Sequence, residues 1–281
     1  MAPPIALPGT SVEILNPSIV RGQIRHAIFD FDGTISLVRE GWQDVMVPMM
    51  LEYLSAADPD EDSASVSHTV RDFVTRLTGK QTIYQMIELA EQIKKRGATP
   101  LDPLDYKHEY LRRLEVRIAN RVSGLESKSI DAESLLVPGS MELLEGLSAR
   151  GVRMYLASGT DEPFVLREAK LLGVDHYFDG GIFGALDNYQ NFSKKMVIDR
   201  IIKENALSGP ELVAFGDGYV EIENAKGVGG IAVGMPTFEA DPVRWDDWKK
   251  ERLKQAGADL LIPNFVDHRP LLAFLFNDAM A

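Results

Sequence analysis

The sequence contains no cysteine. That absence excludes disulfides, thiolate nucleophiles and cysteine-held zinc or iron–sulfur clusters. It is compatible with a reducing compartment, and a cytoplasmic location is the expectation. Histidine is scarce too: His26, His68, His108, His176 and His268 are all there are, and no two stand at metal-ligand spacing. No stretch approaches ~18 uninterrupted apolar residues, so no membrane span is expected. Met1 to Gly9 carries prolines without a basic flank or a long apolar run, unlike a secretory signal. Basic residues are in deficit, 30 against 42 acidic, for a formal net charge of −12. Such a chain disfavours nucleic acid and anionic membrane surfaces, so neither is an expected partner. Any anion site in it must be a local basic pocket or a bound cation.

What is present is ordinary for a globular protein: 281 residues, 45% hydrophobic and 26% charged. That length suits one large domain or two modest ones. There is no internal repeat. Residues 1–10 read as a Pro-rich, flexible arm, and Ser11 to Leu15 as a short extra strand. His26–Phe29 is an apolar strand. From about Val38 to about Leu136 apolar residues fall at helical spacing, as in Val45, Met49, Met50 and Tyr53, or Ile83, Ile87, Leu89 and Ala90. Polar breaks at 55–65 and 123–134 punctuate this helical insertion. After Pro138-Gly139 strands and helices alternate. Ser140–Arg150 is amphipathic, Val152–Ala157 is a strand, and Asp161 caps a helix with Pro163 near its start and Gly173 past its end. Ser193 caps another helix, and Leu212–Phe215, Gly230–Val233 and Asp259–Ile262 are further strands. Alternation of this kind implies right-handed crossovers and a mostly parallel sheet. Ligands of such sheets bind off the carboxyl ends of the strands.

Four polar clusters stand at such ends. The first is Asp30, Asp32 and Thr34 in the string FDFDGT. Residues two apart on a strand point to one side, so the two carboxylates repel and need a metal ion, a shared proton or a basic neighbour. The second is Ser158-Gly159-Thr160, where a small hydroxyl and backbone N–H groups ahead of a helix can bind a phosphate oxygen. The third is Lys194-Lys195, in the first helical turn where the dipole disfavours cations, which makes sense beside an anion. On local grounds either lysine is a candidate. The fourth is Gly216-Asp217-Gly218-Tyr219-Val220-Glu221, whose hard oxygen donors suit Mg²⁺ rather than zinc.

In this order and context the clusters resemble the four motifs of the haloacid dehalogenase superfamily. The resemblance covers 24–36 and 137–235 well, and the tail at Ala258–Pro263 less clearly. It implies a Rossmann-like, mostly parallel core over 1–37 and 137–281, with an inserted helical C1 cap over 38–136 that closes on the site and selects the substrate. It implies that Asp30 is the nucleophile and Asp32 the acid and base. Thr34, Ser158, Gly159 and Lys194 would hold the transferring phosphoryl group, with Lys194 preferred to Lys195, the fallback, because the Val197-Ile198 and Ile201-Ile202 spacing after it matches the superfamily's pattern. Mg²⁺ would be held by the Asp30 carboxylate, the Asp32 backbone carbonyl and Asp217, with Glu221 in support, directly or through water. Position 221 departs from the family's usual Asp by one methylene. Asp at position 32, rather than the Thr of superfamily ATPases, favours a phosphatase or a phosphomutase of the β-phosphoglucomutase type. The expected partner is a small phosphorylated metabolite, with sugar phosphates one such class; the oligomeric state is left open. Within the insertion, the polar break Thr78–Thr82 is expected to dip into the site, with Lys80 or Gln81 on the leaving group. A surface helix–helix turn is the plainer reading of that break. Arg39 and Trp42 could also line the cleft, with Trp42 equally suited to the core. A phosphonate hydrolase would need a Schiff-base lysine in the cap, for which Lys80 is the candidate. A phosphate-binding regulatory protein on a retired scaffold is the non-enzyme alternative.

Overall fold

The computed structural model describes residues 4–278. Its strands are β1 (Ile5–Ala6), β2 (Glu13–Ile14), β3 (His26–Phe29), β4 (Arg153–Asp161), β5 (Gly181–Ala185), β6 (Leu212–Gly216), β7 (Ile231–Gly234) and β8 (Leu260–Leu261). They form one sheet in the order β1-β2-β8-β7-β6-β3-β4-β5. From β8 to β5 every pairing is parallel, and β2 and β1 extend the β8 edge antiparallel. The strands of the middle are continuous apolar runs because both sheet faces are covered: all of β3, β6 and β7 is buried. From β3 the chain moves outward through β4 and β5, then returns to the other side of β3 for β6. That reversal is the topological switch point, where an open α/β sheet leaves a crevice at its carboxyl edge.

Four helices follow β3 as one group: α1 (Gln43–Ala57), α2 (Ser63–Leu77), α3 (Thr82–Lys95) and α4 (Pro103–Glu126). The longest, α4, has its start fixed by local chemistry. The Asp102 carboxylate accepts from the Leu104 N–H, and Pro103 fills the first helical position. Its buried side chains recur at Tyr106, Tyr110, Leu114, Ile118 and Val122, one stripe at helical spacing. After β3 and the helical layer come α5 (Ser140–Ser148), α6 (Glu162–Leu171), α7 (Lys194–Asn205), α8 (Tyr219–Gly227), α9 (Asp247–Gln255) and α10 (His268–Phe276). No described helix is long and apolar enough to cross a membrane.

Three expectations change. The arm expected over 1–10 is, from residue 4 onward, part of the sheet edge: Ile5 and Ala6 pair with Ile14 and Glu13, and Leu7 is buried in the core. Residues 1–3 lie outside the described residues. The edge strand β5 was not expected, because its glycines hide the strand pattern. Gly180, just before it, touches the Tyr155 ring so closely that a Cβ would lie 2.4 Å from a ring carbon. Finally, Asp161 stands at the N-cap of α6 but its side chain makes no cap bond; Oδ1 instead faces Lys107 Nζ of α4 at 2.8 Å.

The helical layer is tied to the sheet by buried charge. Arg39 donates from Nε and Nη2 to the two carboxylate oxygens of Glu168 on α6, at 3.0 and 2.7 Å, and both residues are buried. Burial pushes the Glu168 carboxyl above its ordinary pKa, and Arg39 opposes that rise. Breaking such a pair leaves an uncompensated buried charge and costs about 3–5 kcal/mol. Arg39→Met is therefore expected to lose about that much stability in chemical denaturation, and the double variant Arg39→Met/Glu168→Leu to recover most of it.

Candidate active site

Asp30 follows β3 directly, and its N–H continues the ladder to the Phe215 carbonyl at 2.9 Å. Its Oδ1 accepts from the Phe31 N–H at 2.7 Å and faces Lys194 Nζ at 2.8 Å. Lys194 opens α7, whose N-cap is the Ser193 hydroxyl accepting from the Met196 N–H. Lys194 also bonds Glu221 Oε1 in the first turn of α8. Lys195 points elsewhere: it is exposed and pairs with Asp199. Of the two neighbouring lysines, then, Lys194 meets the acids. Burial pushes the Asp30 carboxyl well above its ordinary pKa, Lys194 opposes this, and the charges of Glu221 and Asp217 add to it. Burial also disfavours the Lys194 ammonium, but Asp30 and Glu221 outweigh it and hold its pKa above the usual lysine range.

Asp32 has different partners. Its Oδ2 accepts from the Thr160 hydroxyl at 2.8 Å and the Ser158 hydroxyl at 3.3 Å. Ser158 Oγ in turn accepts from the Thr160 N–H at 3.0 Å. The two hydroxyls converge because residues two apart on a strand share a side. They do not follow the strand, as expected, but lie in its last residues, where the β4–β5 register shifts. Asp32 Oδ1 is buried without a hydrogen-bond partner, 3.9 Å from Arg39 Nε. The two aspartates are thus compensated separately, one by a lysine and one by hydroxyls with the Arg39 guanidinium nearby.

Thr34 is a correction. It is fully buried, and its Oγ1 accepts from the Asp217 N–H at 3.0 Å rather than facing the cleft. The turn after Asp32 folds back, with Gly33 N–H on the Ser36 carbonyl, and carries residue 34 beneath the Asp217 loop. Asp217, just past β6, has its Oδ2 on Lys249 Nζ at 2.7 Å. Lys249 also donates to Glu239 Oε1 at 2.9 Å. Burial raises the Glu239 carboxyl, with Lys249 opposing and Asp217 adding. Lys249, Glu239 and Thr160's bond to Asp32 escaped the sequence reading. The segment Trp245–Trp248 reads as a surface helix start, and nothing local separates Lys249 from Lys250, which pairs with Glu13. Glu221 is buried, its Oε1 on Lys194 and its Oε2 without a partner.

A cleft of about 320 Å³ opens beside these groups. Asp30, Asp32, Ser158, Gly159, Lys194 and Asp217 line it from the sheet side. Trp42, Met46, Tyr110 and Leu114 of the helical layer, with Trp248, give it an apolar and aromatic wall. The polar break at 78–82 meets the sheet edge through bare backbone. A Cβ on Gly159 would lie 3.0 Å from the Lys80 carbonyl oxygen, and one on Gly79 3.3 Å from the Gly218 Cα. Gly79 has φ +94°, which a side chain rarely adopts. Lys80 is exposed at the cleft, its Nζ 5.8 Å from the Tyr84 ring centre. Gln81 does not reach the cleft. Its Nε2 donates to the Phe192 carbonyl at 2.7 Å and so ties the break to the segment before α7.

The donor chemistry suits a small hard cation. Asp30, Asp217 and Glu221 offer carboxylate oxygens, and the buried, unpartnered Glu221 Oε2 has a bond to make. Among the described residues no three acidic or histidine side chains converge as a complete protein cage. Mg²⁺ needs none, since it binds through one or two carboxylates, waters and substrate phosphate.

An acidic crevice bridged by lysines at the switch point of a doubly wound sheet is the setting of an α/β enzyme. The family model for haloacid dehalogenase-like hydrolases matches residues 24–229, and the chain belongs to that family. No curated protein matches the sequence. Solved structures share the fold. A predicted phosphatase from Clostridium acetobutylicum is 18% identical with a TM-score of 0.56, over 89% of this chain and 98% of that one. CbbY from Rhodobacter sphaeroides, in complex with phosphate, is 19% identical with a TM-score of 0.54, over 90% and 99%. A β-phosphoglucomutase from Clostridium difficile is 16% identical with a TM-score of 0.52, over 83% and 98%.

The backbone contact at Gly159 makes an activity-independent prediction. Gly159→Val should lift the 78–82 segment and speed tryptic cleavage after Lys80, with the far-ultraviolet circular dichroism unchanged. An unaltered cleavage rate would mean that this contact does not hold the segment down.

Proposed function

We propose that the protein is a Mg²⁺-dependent phosphatase that hydrolyses a small phosphorylated metabolite through an aspartyl-phosphate on Asp30, with sugar phosphates the first class to screen. The observation that carries this reading is the separate compensation of Asp30 and Asp32. Asp30 faces a buried ammonium, which suits a carboxylate that must meet an anionic phosphate. Asp32 is held by two hydroxyls and keeps Oδ1 unpartnered, which suits a group that passes a proton. The matching folds of a predicted phosphatase and of a phosphate-bound protein support the same chemistry.

In this mechanism Asp30 Oδ2 attacks phosphorus, since Oδ1 is held by Phe31 and Lys194. The ester oxygen leaves with its electron pair and takes a proton from Asp32. Asp32 then removes a proton from water, whose oxygen attacks phosphorus, breaks the acyl-phosphate bond and frees Asp30. Lys194, Ser158 and the Gly159 backbone hold the phosphoryl oxygens, while Thr34 positions the Asp217 loop. The Asp30 carboxylate, the Asp32 carbonyl and Asp217 would hold Mg²⁺, with Glu221 in support. When bound, the ion offsets the repulsion between an anionic nucleophile and an anionic phosphate. The helices over 38–136 are the C1 cap of a core made from 1–37 and 137–281. They exclude water and present the apolar wall and Lys80 to the leaving group. A mutase would need cations for a second phosphate. Arg39 is not free for that, because Glu168 holds two of its nitrogens.

A Mg²⁺-dependent phosphate-release screen tests the reading. Asp30→Asn should abolish turnover. Asp32→Asn should slow it about 10²–10⁴-fold and leave labelled phosphate on the protein in a rapid quench. Turnover by Asp30→Asn would overturn the mechanism, and stimulation of the wild type by a bisphosphate would favour the mutase. Lys80→Ala should impair the best substrate yet spare a small aryl phosphate. Equal losses on both would take Lys80 out of leaving-group recognition.

A further inference from the structure

Lys249 is a second lysine in the first turn of a helix whose dipole disfavours it. Helix α9 is N-capped by Asp246, whose Oδ1 accepts from the Lys249 N–H at 2.9 Å, so the charge sits close to the positive helix end. The side chain is buried, and its ammonium is shared between Asp217 Oδ2 at 2.7 Å and Glu239 Oε1 at 2.9 Å. Asp217 has little freedom to avoid it. A Cβ on Gly33 would lie 2.6 Å from the same Asp217 oxygen, and the Asp217 N–H is fixed by Thr34. The helix is anchored as well. Arg252, one turn further on, bonds the Thr75 and Arg76 carbonyls at the C-terminal end of α2 and lies over the Tyr219 ring. The ammonium is thus delivered to one carboxylate oxygen by a helix that is itself held in place.

We propose that Lys249 is a positioning residue that acts as a built-in counter-cation for Asp217 and Glu239, competing with the divalent cation and so lowering the protein's affinity for it. The proposal rests on the reading of Asp217 as a cation-holding residue. One buried ammonium stands against two carboxylates that are themselves only 12% and 17% exposed. A divalent ion approaching Asp217 meets a like charge within hydrogen-bond distance of its own ligand, and in a buried site that repulsion is poorly screened. Lys249 must turn away towards Glu239 for Asp217 to offer both oxygens. Glu239 thereby becomes the place where the displaced ammonium rests.

The two partners of this triad predict opposite signs. Isothermal titration of the full chain with MgCl₂ should show Lys249→Met binding Mg²⁺ about tenfold more tightly than wild type. Glu239→Gln should bind it several-fold more weakly, because the ammonium then rests on Asp217 alone. Thermal unfolding gives a second readout: Mg²⁺ should raise the Tm of Lys249→Met more than that of wild type. A merely structural role would weaken binding in both variants, and that result, or unchanged affinity in Lys249→Met, overturns the proposal. If wild type binds Mg²⁺ and Asp217→Asn does so equally well, the reading of Asp217 fails first and takes the proposal with it.

Discussion

A carboxylate buried at the end of a parallel strand must be given a cation, and much of this structure follows from how that demand is met. Asp30 ends β3 beneath the cleft, and Lys194 reaches it from the first turn of α7. That placement requires α7 to begin at the carboxyl edge of the sheet with a serine cap, and it recruits Glu221 from α8 to share the ammonium. The same solution appears on the other side, where Lys249 of α9 serves Asp217 and Glu239. Two helix starts that look electrostatically wrong in isolation are correct once the strand-end acids are counted.

The helical layer obeys a complementary rule. Largely buried ion pairs fix it to the core, at Arg39 with Glu168 of α6 and at Lys107 of α4 with Asp161 at the end of β4. Over the cleft itself the contact is backbone against backbone, through Gly79, Gly159 and Gly218. Side chains that would prop the layers apart are missing where the layers must come closest. Gln81 then closes the seam laterally by bonding a main-chain carbonyl of the segment before α7.

The parts of this arrangement that were legible in sequence are local ones. An apolar tetrapeptide followed by two aspartates, or a serine followed by two lysines and an aliphatic helix face, carries its meaning within a few residues. The strand His26–Phe29 and the Ser193 cap are of this kind. Lys249 and Glu239 were not legible, because their partner Asp217 is far away in the chain and their own surroundings look like a solvated helix start. Thr34 was expected at the phosphoryl group through the resemblance alone, and the turn after Asp32 reverses the chain and sends its hydroxyl under the Asp217 loop. The edge strands β1 and β5 failed on composition, one Pro-rich and one Gly-rich, and both exist because a neighbouring strand supplies the ladder.

The lysines nearest the strand-end acids are buried and already paired, so their charge does not project into solvent. The chain as a whole carries a formal net charge of −12. An anionic ligand would therefore drift towards this protein against a repulsive far field and feel attraction only after entering the cleft. Added salt shortens the reach of that far field to about 10 Å at 0.1 M, while the buried pairs are screened much less. Encounter should consequently quicken as ionic strength rises, the reverse of what electrostatic steering gives an enzyme with a basic rim.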